Sequence, residues 1–161
     1  MLNKIAIVSF AFLLSLTACE KDNTNTPSVI GKAKITGIAY INQNLSNDDK
    51  LGSIVWEKAP AGTKLYATYS SADIVINETT GNYVNIVDST KVDANGTYTF
   101  LVKANLKKVN VSITSDDYRL MQTSDATTSP EAKIYSLPAG QFTSVVTENE
   151  VKILDVYFSI K

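Results

Sequence analysis

The sequence predicts an all-β protein, an antiparallel β-sandwich of about seven strands. Three observations predict it. Apolar residues recur with a period of two in one short run after another; Gly, Pro and Asx turn signals separate the runs; and no amphipathic helix of normal length can be drawn after residue 20. In chain order, "KITGIAYI" sets Ile35, Gly37, Ala39 and Ile41 on one face against Lys34, Thr36, Ile38 and Tyr40. "APAG" at Ala59 to Gly62 has Pro second and Gly fourth, as a type I turn prefers. "TKLYATY" opposes Leu65, Ala67 and Tyr69 to Lys64, Tyr66 and Thr68. "DANG" at Asp93 to Gly96 is a hairpin signal, with Asn95 and Gly96 suited to positive φ. "TYTFLVKA" puts Tyr98, Phe100, Val102 and Ala104 on one side, and "KVNVSIT" does the same for Val109, Val111 and Ile113. "LPAGQFT" repeats the Pro-Ala-Gly turn, and the last run, "ILDVYFSI", alternates Leu154, Val156, Phe158 and Ile160 with Ile153, Asp155 and Tyr157.

Composition narrows the chemistry. The 161 residues carry 15 Lys plus Arg against 16 Asp plus Glu, so a formal charge of −1 provides no bulk attraction to nucleic acid. A hydrophobic share of 44% is that of a globular domain and too high for a disordered chain. There is no histidine, which removes the usual general base of serine hydrolases and the commonest ligand of zinc and copper.

The N-terminal segment follows a different pattern. "MLNKIAIVSFAFLLSLTAC" places Lys4 before an apolar stretch from Ile5 to Ala18 and ends in small residues before Cys19, the only cysteine. This is the three-part layout of a secretory signal. The fourteen residues of this stretch, at about 1.5 Å each, reach about 21 Å, short of the roughly 30 Å of a bilayer core. Leu16, Thr17, Ala18 and Cys19 resemble the lipobox of bacterial lipoproteins. That resemblance implies cleavage before Cys19 and acylation of its thiol and new amino terminus. Several acyl chains, at about 0.8 kcal/mol per buried methylene, anchor stably where one does not. A lipid-bound Cys19 also leaves no thiol for disulfide, metal or catalysis. The expected organisation is a signal peptide over residues 1–18, a lipid-anchored flexible tether over 19–32 and the sandwich over 33–161. Glu20, Lys21 and Asp22 resemble display signals of some outer-membrane lipoproteins, so the outer membrane is the expected location, with the leaflet open.

The order "ITGIAYI", "APAGTKLYATYS", "KVDANGTYTFLVKA", "VNVSIT" resembles the carboxypeptidase regulatory-like, transthyretin-like sandwich domains of bacterial surface proteins over about residues 33 to 115. Asp93, Gly96, Tyr98 and Phe100 match that family's Asp-x-x-Gly turn and the aromatic-in strand that follows it. The stretch "NQNLSNDDKLGSIVWEK" and the "SADIVINETTGN" loop depart from the pattern. The resemblance implies an accessory or spacing module and names no reaction.

Individual residues point to few ligands. Trp56, Tyr66 and Tyr69 are the candidate ligand platform, since exposed aromatics can stack on a sugar ring; the same residues equally suit a sandwich core and rim. Asp93 and Asn95 resemble a fragment of a calcium loop but lack its distal ligands. The pairs Asp48–Asp49 and Asp116–Asp117 could serve a cation or glycoside hydrolysis, yet neighbouring residues on a strand point apart. Lys34 and Asp155 are the nearest pair for a cross-link between first and last strands. No catalytic residue, cofactor or metal is expected. The chain reads as a non-catalytic, membrane-anchored binding or accessory module for an envelope protein or glycan. The alternatives are a structural subunit of an adhesin or filament, joined through "VKILDVYFSI", and a carboxylate-based glycoside hydrolase.

Overall fold

A computed structural model describes residues 30–75, 81–124 and 129–161. The predicted signal peptide and Cys19 lie outside the described residues. Among those described, eleven strands form two sheets: β1 (Gly31–Ile41), β2 (Glu57–Lys58), β3 (Lys64–Ser70), β4 (Asn85–Lys91), β5 (Thr97–Ala104), β6 (Val109–Ser115), β7 (Tyr118–Gln122), β8 (Glu131–Ser136), β9 (Thr143–Val146), β10 (Val151–Ile153) and β11 (Val156–Ile160). One-turn helices occur at Leu45–Asn47 and Ser71–Ile74. β1 takes in Gly31 and Lys32, which the sequence reading assigns to the tether.

The larger sheet is built on β1, whose eleven residues carry partners on both edges. On one edge β5 runs antiparallel from Gly31↔Ala104 to Ile38↔Thr97, followed by β2 opposite Tyr40 and Ile41. On the other, β10 and β11 run parallel to β1, at Lys34↔Val151 to Thr36↔Ile153 and at Ala39↔Val156 to Ile41↔Phe158. β8 then joins β11, and β7 joins β8. The smaller sheet is β4-β3-β6-β9, antiparallel throughout. The sandwich is therefore all-β as predicted, with more and shorter strands than seven and with one mixed sheet.

Core and sequence pattern agree strand by strand. Ile35, Ala39, Ile41, Leu65, Ala67, Tyr69, Phe100, Val102, Val109, Val111 and Ile113 are all buried, as the period-two runs require. Val156 and Phe158 continue this on β11.

The terminal run is one strand interrupted by Leu154 and Asp155, and the interruption faces Gly37. The Leu154 N–H donates to the Thr36 carbonyl at 2.9 Å, and the Ile38 N–H donates to Asp155 Oδ1 at 2.8 Å. The Asp155 carboxylate thus substitutes for a backbone acceptor where the ladder skips, as in a β-bulge. That bond occupies the acid considered for a cross-link, while Lys34 stands opposite Val151 on the exposed face. A Cβ on Gly37 would lie 2.0 Å from the Leu154 oxygen. Tyr98, the cross-strand neighbour of Gly37, lies buried, and its hydroxyl donates to the same Leu154 carbonyl. Glycine, tyrosine and bulge form one packed unit, in which the Leu154 carbonyl takes the space a side chain on Gly37 would fill and accepts the Tyr98 hydroxyl.

Burial raises the pKa of several tyrosines. It pushes Tyr98 and Tyr118 well above the ordinary phenol value, with Asp155 adding to the effect at Tyr98 and Tyr135 at Tyr118, and pushes Tyr69 up to about 12. Unfolded tyrosines titrate near 10, so above that pH the unfolded chain loses protons that the native state retains, and stability falls as pH rises towards the native values. Tyr98→Phe is expected to cost about 1–2 kcal/mol at neutral pH, because the Leu154 carbonyl loses its donor. The same variant should show a shallower loss between about pH 9 and 11. Urea unfolding across that range checks both, and an unchanged slope would remove Tyr98 from the alkaline limb.

Turn chemistry refines the sequence reading. At Pro60 the closing bond runs from the Thr63 N–H to the Pro60 carbonyl, 3.2 Å, so Gly62 occupies the third position at φ 88°, as in a type II turn. The turn starts one residue later than a type I reading of "APAG" places it. "LPAG" repeats this, with Gln141 N–H on the Pro138 carbonyl and Gly140 at φ 73°. At "DANG" Gly96 alone takes positive φ, while Asp93 Oδ1 accepts from the Asn95 and Thr97 N–H groups at 2.8 and 2.9 Å. Asp93 and Asn95 thus serve the turn.

Candidate functional site

The polar insert after β1 is held in shape by two carboxylates. Asp48 accepts the Val55 N–H through Oδ1 at 2.8 Å and Asn42 Nδ2 through Oδ2 at 3.1 Å. Glu57 accepts the Gln43 N–H at 2.9 Å and Asn47 Nδ2 at 3.1 Å. Between them, Asn44 caps the helical turn by accepting the Ser46 N–H. These bonds hold Leu45 and Trp56 beside the C-terminal ends of β1 and β11.

The sheet curls to meet this insert. Gln43 Nε2 donates to the Met121 carbonyl at 2.7 Å, the Thr123 N–H to the Gln43 carbonyl at 3.1 Å, and the Leu45 N–H to the Thr123 carbonyl at 2.8 Å. Asn44 and Thr123 form a parallel bridge. The end of β7 is thereby joined to the segment that continues β1, and the strands β1, β11, β8 and β7 close into a ring.

A cavity of about 300 Å³ lies in the mouth of that ring. Its apolar walls are Leu45, Trp56, Tyr135, Phe158 and Ile160. Its polar lining is Asn42, Gln122 and Ser159, all uncharged. The Tyr135 hydroxyl donates to the Asn42 backbone carbonyl at 3.2 Å. The Asn42 side-chain carbonyl, Oδ1, is buried and has no hydrogen-bond partner. Such an acceptor costs about 1–3 kcal/mol while unpaired. Beside the cavity, Trp56 packs edge-on against Tyr157 with ring centroids 5.0 Å apart, and Tyr157 stacks on Tyr40 at 5.2 Å.

The three aromatics singled out in the sequence do not share a surface. Trp56 lines the cavity, while Tyr66 and Tyr69 leave β3 on opposite faces. Tyr69 is buried, donating to Asp88 at 2.8 Å and accepting the Lys103 N–H at 3.1 Å. Tyr66 donates to Asp116 Oδ2 at 2.7 Å, and this bond, more than its slight desolvation, raises its pKa. A single platform of Trp56, Tyr66 and Tyr69 is therefore replaced by Trp56 with Tyr157 and Tyr40. Two-fold alternation separates residues 66 and 69, since positions an odd number apart on a strand face opposite ways.

The acidic pairs are engaged separately. Asp116 holds the Tyr66 hydroxyl, and Asp117 forms a 2.6 Å ion pair with Lys161, both beside a hollow lined by Gly62, Thr63, Lys64 and Tyr118. Asp48 secures the insert, and Asp49 accepts the Leu51 N–H at 3.0 Å. Neither pair presents two free carboxyls across a cleft, the arrangement glycoside hydrolysis needs. Asn42, Gln122, Ser159 and Ile160 carry no motif of their own; the one available signal was the apolar end of an otherwise polar insert, "SIVW".

No family model matches the sequence, and no curated protein matches it either. Among solved structures, the crystal structure of the major plantain pollen allergen Pla l 1 is similar over 79% of this chain and 94% of that one, at 14% identity and a TM-score of 0.31. Among the described residues no helix is long and apolar enough to cross a membrane.

Proposed function

We propose that this chain is a lipid-anchored β-sandwich of the bacterial outer membrane, a non-catalytic binding module that engages an envelope glycan or protein at the Trp56 end. The observation that carries the binding reading is the cavity between the insert and the curled sheet, flanked by the exposed Trp56 and, among the described residues, lined by no charged side chain. The anchor rests on "LTAC" at the end of an apolar run, and the transthyretin-like resemblance agrees with an accessory role. Strand exchange through the C-terminus is the weaker reading, because the terminal strand is already paired within the sheet, with β1 at Val156–Phe158 and with β8 at Ser159 and Ile160.

Two measurements test it. Intact mass of the native protein should show cleavage before Cys19 and added acyl chains; an unmodified N-terminus overturns the anchor. Affinity capture from solubilised envelope should recover a partner with the natural protein and lose it with Trp56→Ala. Equal capture by both overturns the assignment of binding to this end.

A further inference from the structure

We infer that the Trp56 cavity receives one uncharged sugar ring of a glycan, an inference that rests on the binding reading above and assigns its ligand class. Charge is the first discriminator. A carboxylate or phosphate brought into this cavity would be desolvated with no cation among the described lining residues to compensate it. Shape is the second. About 300 Å³ is the lower end of small-molecule sites, room for a ring and not for a folded segment.

Hydrogen bonding is the third discriminator. Asn42, Gln122 and Ser159 supply neutral polar groups around apolar walls. A purely apolar ligand leaves these polar groups unused, whereas a ring with one apolar face and a hydroxyl perimeter meets them while its face packs on the exposed Trp56. A peptide adding as a strand could also donate, but that mode needs an open strand edge. Here β11 is paired on both sides, and the Asn44–Thr123 bridge covers the end of β7. Tyr157, edge-on to Trp56 and half-exposed, is the neighbouring aromatic that a second ring of a glycan would meet.

The test uses a convenience of the composition: Trp56 is the only tryptophan, so the emission of the full chain reports this one position. Methyl β-glucoside, methyl β-galactoside and methyl N-acetyl-β-glucosaminide are titrated against the full-length protein, with glucuronate and toluene as comparison probes. Saturation-transfer NMR on each probe detects any binding that leaves the emission unchanged. The expected result is a saturable response to at least one neutral glycoside, tighter binding of the corresponding disaccharide, and no response to glucuronate. Asn42→Ala and Asn42→Leu, which both remove the side-chain acceptor, should each weaken the glycoside by about tenfold, the loss of one hydrogen bond to a neutral group. Leu106→Ala, at an exposed turn, should change nothing. Thermal unfolding of each variant shows whether it is folded, and the two Asn42 variants back each other. A response to toluene alone, or to glucuronate, overturns the sugar assignment and leaves the binding reading standing. Silence from every probe by both methods likewise overturns the sugar assignment, while the binding reading stands or falls separately on the Trp56→Ala capture.

Discussion

Gly37→Ala is expected to lower the free energy of unfolding by about 2–4 kcal/mol, although the added methyl is the smallest possible side chain. In an ordinary strand position alanine is better than glycine, by about 0.5–1 kcal/mol, because it restricts the unfolded chain and adds contact area. The sign reverses here because the new Cβ would sit 2.0 Å from the Leu154 oxygen and 2.6 Å from its carbon, both backbone atoms. Neither can move like a side chain: Leu154 is tied to Thr36 by its N–H, and the next residue, Asp155, holds the Ile38 N–H. Relief requires the bulge to withdraw from β1, which also parts the Tyr98 hydroxyl from its acceptor. Overpacking of about 1–3 kcal/mol and a lost buried hydrogen bond of about 1 kcal/mol then add. Urea unfolding with an unchanged m-value measures the loss. A neutral or stabilising Gly37→Ala would mean that Leu154 does not cross β1 at this point.

Phe158→Ala carries the second large effect, a loss of about 3–5 kcal/mol. Phe158 is 1% exposed, stands opposite Ile41 in the parallel pairing, and meets Tyr118 edge-to-face with centroids 5.0 Å apart. It also separates the core from the cavity. Truncation removes buried apolar area and leaves a void between β1, β7 and β8 that these hydrogen-bonded strands cannot close. Ile160→Ala, on the same strand but 47% exposed at the cavity mouth, should cost under about 1 kcal/mol. The contrast between the two variants is the measurement. Similar small losses for both would place Phe158 outside the core and remove the inner wall of the ligand cavity.

Legibility in the sequence followed the strength of the local pattern. The runs at 34–41, 64–69, 97–104 and 109–113 were readable because each alternates cleanly, and their inward residues are buried. β4, "NIVDSTK", has only Ile86 and Val87 as apolar residues, and Val87 is exposed; its place comes from the ladder with β3, which the sequence does not display. The turns were found correctly but framed one residue early at Pro60 and Pro138, because Pro-Ala-Gly fits either turn type until φ at glycine is known. For the site, Trp56 stood out by residue type alone. Its partners Tyr157 and Tyr40 looked like ordinary outward strand positions, and Tyr66 and Tyr69 drew notice only by proximity in sequence.

Alternation of side chains by itself determined which residues turn inward, since a strand offers every second position to the same face whatever its neighbours are. Only the tertiary structure decided who those neighbours are. That the last strand lies parallel to the first, breaks at Leu154 over a glycine, and joins positions 42, 56, 122, 135 and 158–160 in one cavity depends on contacts across most of the chain. Such contacts arise when two sheets compete for the same buried volume, and no local spacing of residues encodes the result.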